Sequence, residues 1–330
     1  MSMSKRVIVT GGGGFIGSFL VKRLVSDGWD VGVIDTMVRG DAGRFAEVAD
    51  QVRLHSIDVR DEVAVTLAVR GADVVMHLAA INGTENFYKQ PELVMDVGIR
   101  GALSVINACR KAGVPDLVVA SSAEVYQMPP KVPTSENIPL MLPNSLNPRY
   151  SYGGSKIVSE LIAFNYGRDH FRKVQVFRPH NVYGPDMGLK HVIPQFILRA
   201  AKVLAGGQGP YEFVIQGEGQ ETRAFSYVDD VVDGILTMYE KGKHREIYHI
   251  GNDEEVSIRE LVGRVGEVMG GKLTILPTQA PEGATPRRCP DISKMRKLGY
   301  SPKIYLKEGL SRTVAWYLAN SGFVTSNELM

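Results

Sequence analysis

Tyr152-Gly153-Gly154-Ser155-Lys156 stands at the head of a long amphipathic stretch. Four residues make about one helical turn, so the phenol and the ammonium share a face. A free tyrosine has a pKa of about 10, too high for a base at neutral pH. A neighbouring ammonium favours the phenolate and so makes a base able to take a proton from a carbinol. The spacing alone does not discriminate: Tyr239 and Lys243 repeat it in a charged turn and read as a solvated surface pair. The first pair is set apart by Ser121-Ser122-Ala123-Glu124-Val125-Tyr126, which follows the buried-strand pattern Leu117–Ala120. Beyond that strand's carboxyl end, the Ser122 hydroxyl can bond the same substrate oxygen as Tyr152.

Thr10-Gly11-Gly12-Gly13-Gly14-Phe15-Ile16-Gly17 follows the first strand pattern and opens the first helical one. Gly11, Gly14 and Gly17 are three apart, and Gly12, Gly14 and Gly17 satisfy G-x-G-x-x-G. Such glycines let the backbone turn sharply and approach a pyrophosphate, which the free N–H groups of a helix start receive. Asp35 ends the second strand, where a carboxylate accepts hydrogen bonds from an adenosine ribose. It would repel a 2′-phosphate and so favours NAD, although nearby Arg39 keeps NADP open. Asp58 and Val59, after the third strand, are placed to meet the adenine. Leu78-Ala79-Ala80, after the fourth, offer small side chains for a cofactor to lie against. The positive charge of an oxidised nicotinamide would join the ammonium in favouring the phenolate. A hydroxyl donor, an activated phenol and a dinucleotide together specify hydride chemistry on a carbinol.

These residues must be positioned by strands and helices in alternation. Lys5–Thr10, Asp30–Ile34, Val52–Ser56, Asp73–His77, Leu117–Ala120 and Val174–Arg178 are short, Val-rich and bounded by turn residues. Phe15–Gly28, Asp61–Arg70, Glu92–Ala112 and Tyr150–Phe171 carry apolar residues at helical spacing. The alternation implies an α/β fold, a doubly wound parallel sheet whose ligands sit beyond the carboxyl ends of the strands. Beyond a boundary near Arg178–Tyr183 the pattern loosens. Val192–Leu204, Val228–Glu240, Ser257–Met269 and Lys307–Ala319 read as helices, Glu246–Ile250 as a strand, and Gly206–Pro210 and Pro277–Pro290 as loops. The expected division is a Rossmann domain over residues 1–178, rejoined by roughly 224–252, and a smaller α+β substrate domain over 179–330.

Composition excludes several classes. The chain has 330 residues, 44% hydrophobic and 22% charged, which is globular rather than disordered. Thirty-eight Lys+Arg against 36 Asp+Glu leave +2, with no basic block for nucleic acid. No apolar run approaches the roughly 18 residues of a membrane span, and the glycine run begins too early for a signal peptide. A cytoplasmic location is expected. Two cysteines make no disulfide framework, and Cys109 on a helical pattern reads as a buried small residue. The seven histidines, including His77 and His180, show no metal-ligand spacing, so no metal is expected.

TGGGGFIG, Asp35, HLAA, SSAEVY, YGGSK, Asn181-Val182-Tyr183-Gly184-Pro185 and Thr222-Arg223-Ala224-Phe225-Ser226-Tyr227-Val228-Asp229-Asp230 occur in order along nearly the whole chain. The sequence resembles the extended short-chain dehydrogenase/reductases that act on nucleoside-diphosphate sugars. The resemblance implies tightly bound NAD, and a C-terminal domain gripping the substrate's diphosphate through Asn181, Arg223 and Arg288. It implies Tyr152, Lys156 and Ser122 as the group that deprotonates the sugar C4 hydroxyl, and a homodimer through the stretches Glu92–Ala112 and Tyr150–Phe171.

Glu124 bears on the outcome. Dehydratases and decarboxylases of the family carry Glu there, whereas 3,5-epimerases and fucose-type epimerase/reductases carry Cys and simple 4-epimerases usually a small or hydroxyl residue. A carboxylate can move a C5 proton. Ala123 stands where dTDP-glucose dehydratases place Asp. Pro148-Arg149 resembles hexuronate decarboxylases, where a cation meets the sugar carboxylate, and Asp291 after Arg288-Cys289-Pro290 continues that likeness. Ile81-Asn82-Gly83-Thr84 and Pro281-Glu282-Gly283 look more like GDP-mannose 3,5-epimerases, and Asn82, Gly83 and Thr84 would contact the sugar. The resulting expectation is transient C4 oxidation with epimerisation (C4 or C3/C5) ahead of 4,6-dehydration or hexuronate decarboxylation. A noncatalytic NAD-binding regulator is the alternative of another class. It should have lost Ser122, Tyr152 or Lys156, and all three are present. A plain NADPH-dependent ketone reductase would consume its cofactor stoichiometrically.

Overall fold

The computed structural model describes residues 4–207, 209–279 and 285–320. Seven strands form one sheet: β1 (Arg6–Thr10), β2 (Asp30–Ile34), β3 (Val52–His55), β4 (Val74–His77), β5 (Asp116–Ala120), β6 (Lys173–Pro179) and β7 (Glu246–Ile250). Their order is β7-β6-β5-β4-β1-β2-β3, every pair parallel. Helices cover both faces, which is why the strands read as unbroken Val/Ile/Leu runs instead of alternating with polar residues. In β1, Val7 and Val9 face one layer, with Leu20, Val21 and Leu24 of helix α1 (Phe15–Ser26). Ile8 faces the other, with Val105 and Ile106. The chain runs from β1 out to β3 and returns to β4 beside β1. The crevice beyond the carboxyl ends of β1 and β4 is therefore the topological switch point where such sheets take their ligands.

All six strands expected in the first half are present. The run expected from Glu92 begins at Pro91, a favoured first helical position, and continues to Ala112 through one wider turn at Val97–Gly101. Helix α2 (Ser151–Tyr166) stops short of the expected Phe171. The chain turns at Gly167, and Phe171 folds back into the core beside Ala163. Residues Ala42–Gln51 form tightly wound 3-10 turns, kinked at Phe45, that the sequence did not announce.

Helix α3 (Val228–Lys241) packs Val231 and Ile235 into the layer of α1, and β7 extends the sheet beyond β6. The remaining C-terminal elements have their own core, in which Phe196, Phe213, Leu261, Leu310 and Tyr317 meet. It includes a parallel pair that was not expected, Tyr211–Gln216 with Leu273–Thr278. The stretch Pro277–Pro290 is not wholly loop: it starts with the end of that strand and contains Arg287–Arg288, which pairs with Thr222–Ala224. Pro281-Glu282-Gly283 lies outside the described residues.

Candidate active site

Gly11 begins the turn after β1 at φ +73°, and a Cβ there would come within 2.7 Å of the Ala79 backbone nitrogen. At Gly17 a Cβ would collide with the Gly11 carbonyl. The glycines thus bring the start of α1 against the β4 loop and leave a side-chain-free cradle at a helix N-terminus, the geometry a dinucleotide pyrophosphate requires. Asp35 ties the cradle in place by accepting from the backbone N–H of Gly13 (3.0 Å) and Met37 (2.9 Å). Asp58 faces the same cleft, but its carboxylate is committed to Arg60 (2.5 Å). That hydrogen bond holds it below the usual carboxylate range. The residues present therefore fit a dinucleotide: glycine cradle, Asp35 beyond β2, and small Ala79 and Ala80 on the facing wall.

Ser122 leaves β5 in extended conformation, and its Oγ accepts from the Glu124 N–H (3.1 Å), starting the short turn Ala123–Val125. Tyr152, on the first turn of α2, lies flat against Phe87, with ring centroids 5.1 Å apart and an interplanar angle of 11°. Lys156 sits one turn on, its Nζ 5.7 Å from the Tyr152 ring centroid and donating to the Ala120 carbonyl at 2.8 Å. Burial dominates both groups. It pushes the Tyr152 phenol up to about 12, with the neighbouring Ser122 hydroxyl acting in the opposite direction. It pushes Lys156 down to about 8, opposed by Glu160. In the protein by itself burial weakens the ammonium's support of the phenolate, and the second expected charge, that of an oxidised nicotinamide, would have to supply the rest.

Glu124 reaches back into the cleft and pairs with Arg288 Nη1 at 2.5 Å. Burial would raise its pKa, but Arg288, Arg149 and Arg223 outweigh burial and the net shift is downward. Arg223 is pushed down to about 10 by burial and by its neighbour Arg288. Arg288, expected on the substrate diphosphate, thus already holds a carboxylate. The Asn181 amide, in a residue at φ +38°, donates to the Ala224 carbonyl (3.1 Å). Of the expected site residues, Arg149 and Arg223 are near enough for their charge to act on Glu124 without lining the cleft, and the others all line it.

A model of the NAD-dependent epimerase/dehydratase family matches residues 7–251. The chain belongs to that family. It is 30% identical over 325 residues to a UDP-N-acetyl-alpha-D-glucosaminuronate decarboxylase of Bacillus cytotoxicus, covering 96% of this chain and 98% of the relative. It is 33% identical over 320 residues to a putative UDP-glucose 4-epimerase of Methanocaldococcus jannaschii, covering 96% and 99%. The dTDP-glucose 4,6-dehydratase of Streptomyces venezuelae, crystallised with NAD, superposes with a TM-score of 0.84 at 30% identity, covering 96% and 98%.

This family member is an NAD-dependent enzyme of nucleotide-sugar metabolism. The loop that follows β5 rests on a buried polar network. Glu160, one turn beyond Lys156, accepts from Arg178 Nε (2.8 Å) and Nη2 (2.6 Å) and from the Ser121 hydroxyl. Arg178 also bonds the Tyr126 hydroxyl and the Glu136 carbonyl (3.2 Å), and Tyr126 bonds His249 Nε2 (2.7 Å). The segment that carries Ser122 and Glu124 is thereby fixed at both ends. Tyr239, expected on the surface, is buried and donates to Asp116 (2.9 Å), and only Lys243 is exposed. Cys109 is buried, as expected.

The sequence did not single out Phe87, which supports Tyr152, or Arg44, which bonds the Gly13 carbonyl (3.0 Å) and Asp186 (3.1 Å). Both act across long sequence separations that leave no local pattern. Among the described residues no helix is long and apolar enough to cross a membrane, and no cluster of His, Cys, Asp and Glu could hold a metal.

Proposed function

We propose that this enzyme epimerises a nucleoside-diphosphate sugar at C4 through a transient 4-ketone. Bound NAD would supply the acceptor and donor of hydrogen at C4. Tyr152 takes the proton of the C4 hydroxyl, Ser122 holds that oxygen by a hydrogen bond, and Lys156 supports the phenolate electrostatically. Asn181, Arg223 and Arg288 meet the diphosphate.

The observation that carries the choice of reaction is the state of Glu124. Three guanidiniums hold it ionised, so it is a poor proton donor to a departing hydroxyl, and Ala123 offers no other. Arg149, Arg223 and Arg288 with Glu124 sum to +2, which a diphosphate of charge about −2 balances. None of these three guanidiniums is then left over for a sugar carboxylate, and the ketone's simplest fate is reduction from its other face. The likeness to a putative UDP-glucose 4-epimerase supports this reading.

Arg149 favours a second reading, decarboxylation of a hexuronate whose carboxylate displaces Glu124, in keeping with the Bacillus cytotoxicus relative. Half-exposed Leu161 and Tyr166 on α2 and Met95 on the 91–112 run give the proposed homodimer an apolar contact. Incubation with a panel of UDP-, dTDP- and GDP-sugars in deuterated water, read by mass and NMR, tests the proposal. A product of unchanged composition, with altered H4 coupling and no deuterium at C5, is expected. Loss of water or of carbon dioxide would overturn C4 epimerisation. Deuterium at C5 would do so too, and would assign Glu124 as the C5 acid/base.

A further inference from the structure

The cations lining the cleft are Arg39, Arg44, Arg60, Lys156, Lys190 and Arg288. Five are engaged within the protein: Arg44 with Asp186 and the Gly13 carbonyl, Arg60 with Asp58 and Asp96, Lys156 with the Ala120 carbonyl, Lys190 with Glu85, and Arg288 with Glu124. Arg39 is the exception, with no hydrogen-bond or ion-pair partner among the described residues. Its backbone is fixed beside the glycine cradle. The Asp41 N–H donates to the Gly13 carbonyl at 3.0 Å, and a Cβ on Gly40 would touch the Asp35 carboxylate. Its side chain ends on the opposite wall, where a Cβ on Gly83 would stand 3.8 Å from Nη2. The side chain therefore bridges the groove between the β2 and β4 loops.

We propose that Arg39 is a cofactor-binding residue that closes over the NAD pyrophosphate and donates hydrogen bonds to its oxygens. The glycine cradle offers backbone N–H groups from one side of that diphosphate, and among the described residues no other free cation lines the cleft. The substrate's diphosphate has Arg223 and Arg288 as its own candidates. A guanidinium directed at Gly83, with no ion pair to Asp35, is also misplaced for a 2′-phosphate, so Arg39 does not argue for NADP. An enzyme that returns its cofactor to the starting state each turnover gains from such a clasp, because release would serve no purpose.

The test is calorimetric binding of NAD, ADP-ribose and UDP to wild type, Arg39→Gln and Arg39→Lys, each stripped of cofactor, alongside the NAD content of each protein as purified. Charged hydrogen bonds of this kind are worth about 1.5–3 kcal/mol, so R39Q should bind NAD and ADP-ribose about ten- to hundred-fold more weakly. R39K should recover part of the loss, and UDP should bind all three proteins alike. Arg39 lies on an exposed loop, and unchanged unfolding of the stripped variants confirms that the fold is intact. Undiminished NAD affinity in R39Q would overturn the proposal. A loss confined to UDP would assign the guanidinium to the substrate's diphosphate, and a loss of NAD but not ADP-ribose affinity would assign it to the nicotinamide end. Either result also overturns it.

Discussion

The Arg178–Glu160 pair lies beneath the loop that carries Ser122 and Glu124, with side chains only 2% and 4% exposed. Two charges so far from water cost several kcal/mol each to desolvate, and that cost is met only while both are present with good geometry. Arg178→Met leaves the Glu160 carboxylate buried with the Ser121 hydroxyl as its one remaining donor. Glu160→Gln keeps the shape but leaves the guanidinium facing a neutral amide. Each single change should destabilise the protein by about 3–5 kcal/mol, at least a hundred-fold in the folding equilibrium. The double variant R178M/E160L removes both charges and fills the space with apolar atoms, so its loss should stay within about 2 kcal/mol. Urea unfolding at one fixed NAD concentration gives all three values, the concentration being held because bound ligand raises apparent stability. Single losses below about 1 kcal/mol, or a double variant that loses the sum of the singles, would refute the reasoning that this is a desolvated, mutually dependent pair.

Tyr152→Phe should lower turnover by about a hundred-fold or more while NAD binding and the unfolding midpoint stay unchanged. The Phe87 stack would hold the new ring in place, and undiminished turnover with the correct sugar nucleotide would remove Tyr152 from the mechanism. Gly17→Ala forces a methyl against the Gly11 carbonyl, and NAD affinity measured by calorimetry should fall about ten-fold or more, a cost of about 1.4 kcal/mol. His77 and His249 are pushed down to about 3 by burial, and His180 is also held well below its usual range. Below the unfolded value of about 6.5 the unfolded chain binds protons that the folded chain refuses. Stability should therefore be full above pH 6.5 and fall as pH drops toward 3, by up to about 1.4 kcal/mol per pH unit for each histidine. Unfolding midpoints that stay flat from pH 7 to pH 5 would show these rings to be protonated in the native state.

Much of this site was legible because its parts are local. A glycine run between a β-branched strand and an amphipathic helix has few physical uses, and Tyr152 and Lys156 are joined by one turn of helix. Ser122 needed only the position of its strand. What escaped reading was the state of those groups, because it depends on what burial and distant residues do to their charge. Arg288 is 164 positions from Glu124 and pairs with it because the short strand Arg287–Arg288 lies beside Thr222–Ala224. Tyr239 and Lys243 matched the spacing of Tyr152 and Lys156 and were set aside as a surface pair, but the burial of Tyr239 on Asp116 left no local trace. The strands Tyr211–Gln216 and Leu273–Thr278 were missed although Phe213 and Ile215 alternate with more exposed neighbours. They lie in a region where no regular alternation of strands and helices sets an expectation.

The same distinction between parts and their state bears on catalysis. With the phenol at about 12 and the lysine at about 8, the phenolate fraction at pH 7 is on the order of one in a hundred thousand. Bringing the phenol near neutrality requires on the order of 7 kcal/mol of interaction that favours its ionised form. The protein alone places one cation whose own proton is weakened by burial and one hydroxyl donor, Ser122, against that demand. The balance has to arrive with the ligands: a positively charged ring beside the phenol, and a substrate hydroxyl to share its proton. On the proposed mechanism Tyr152 is a competent base only once cofactor and substrate fill the cleft. Without its cofactor the enzyme keeps the phenol protonated, so base strength and substrate engagement rise together.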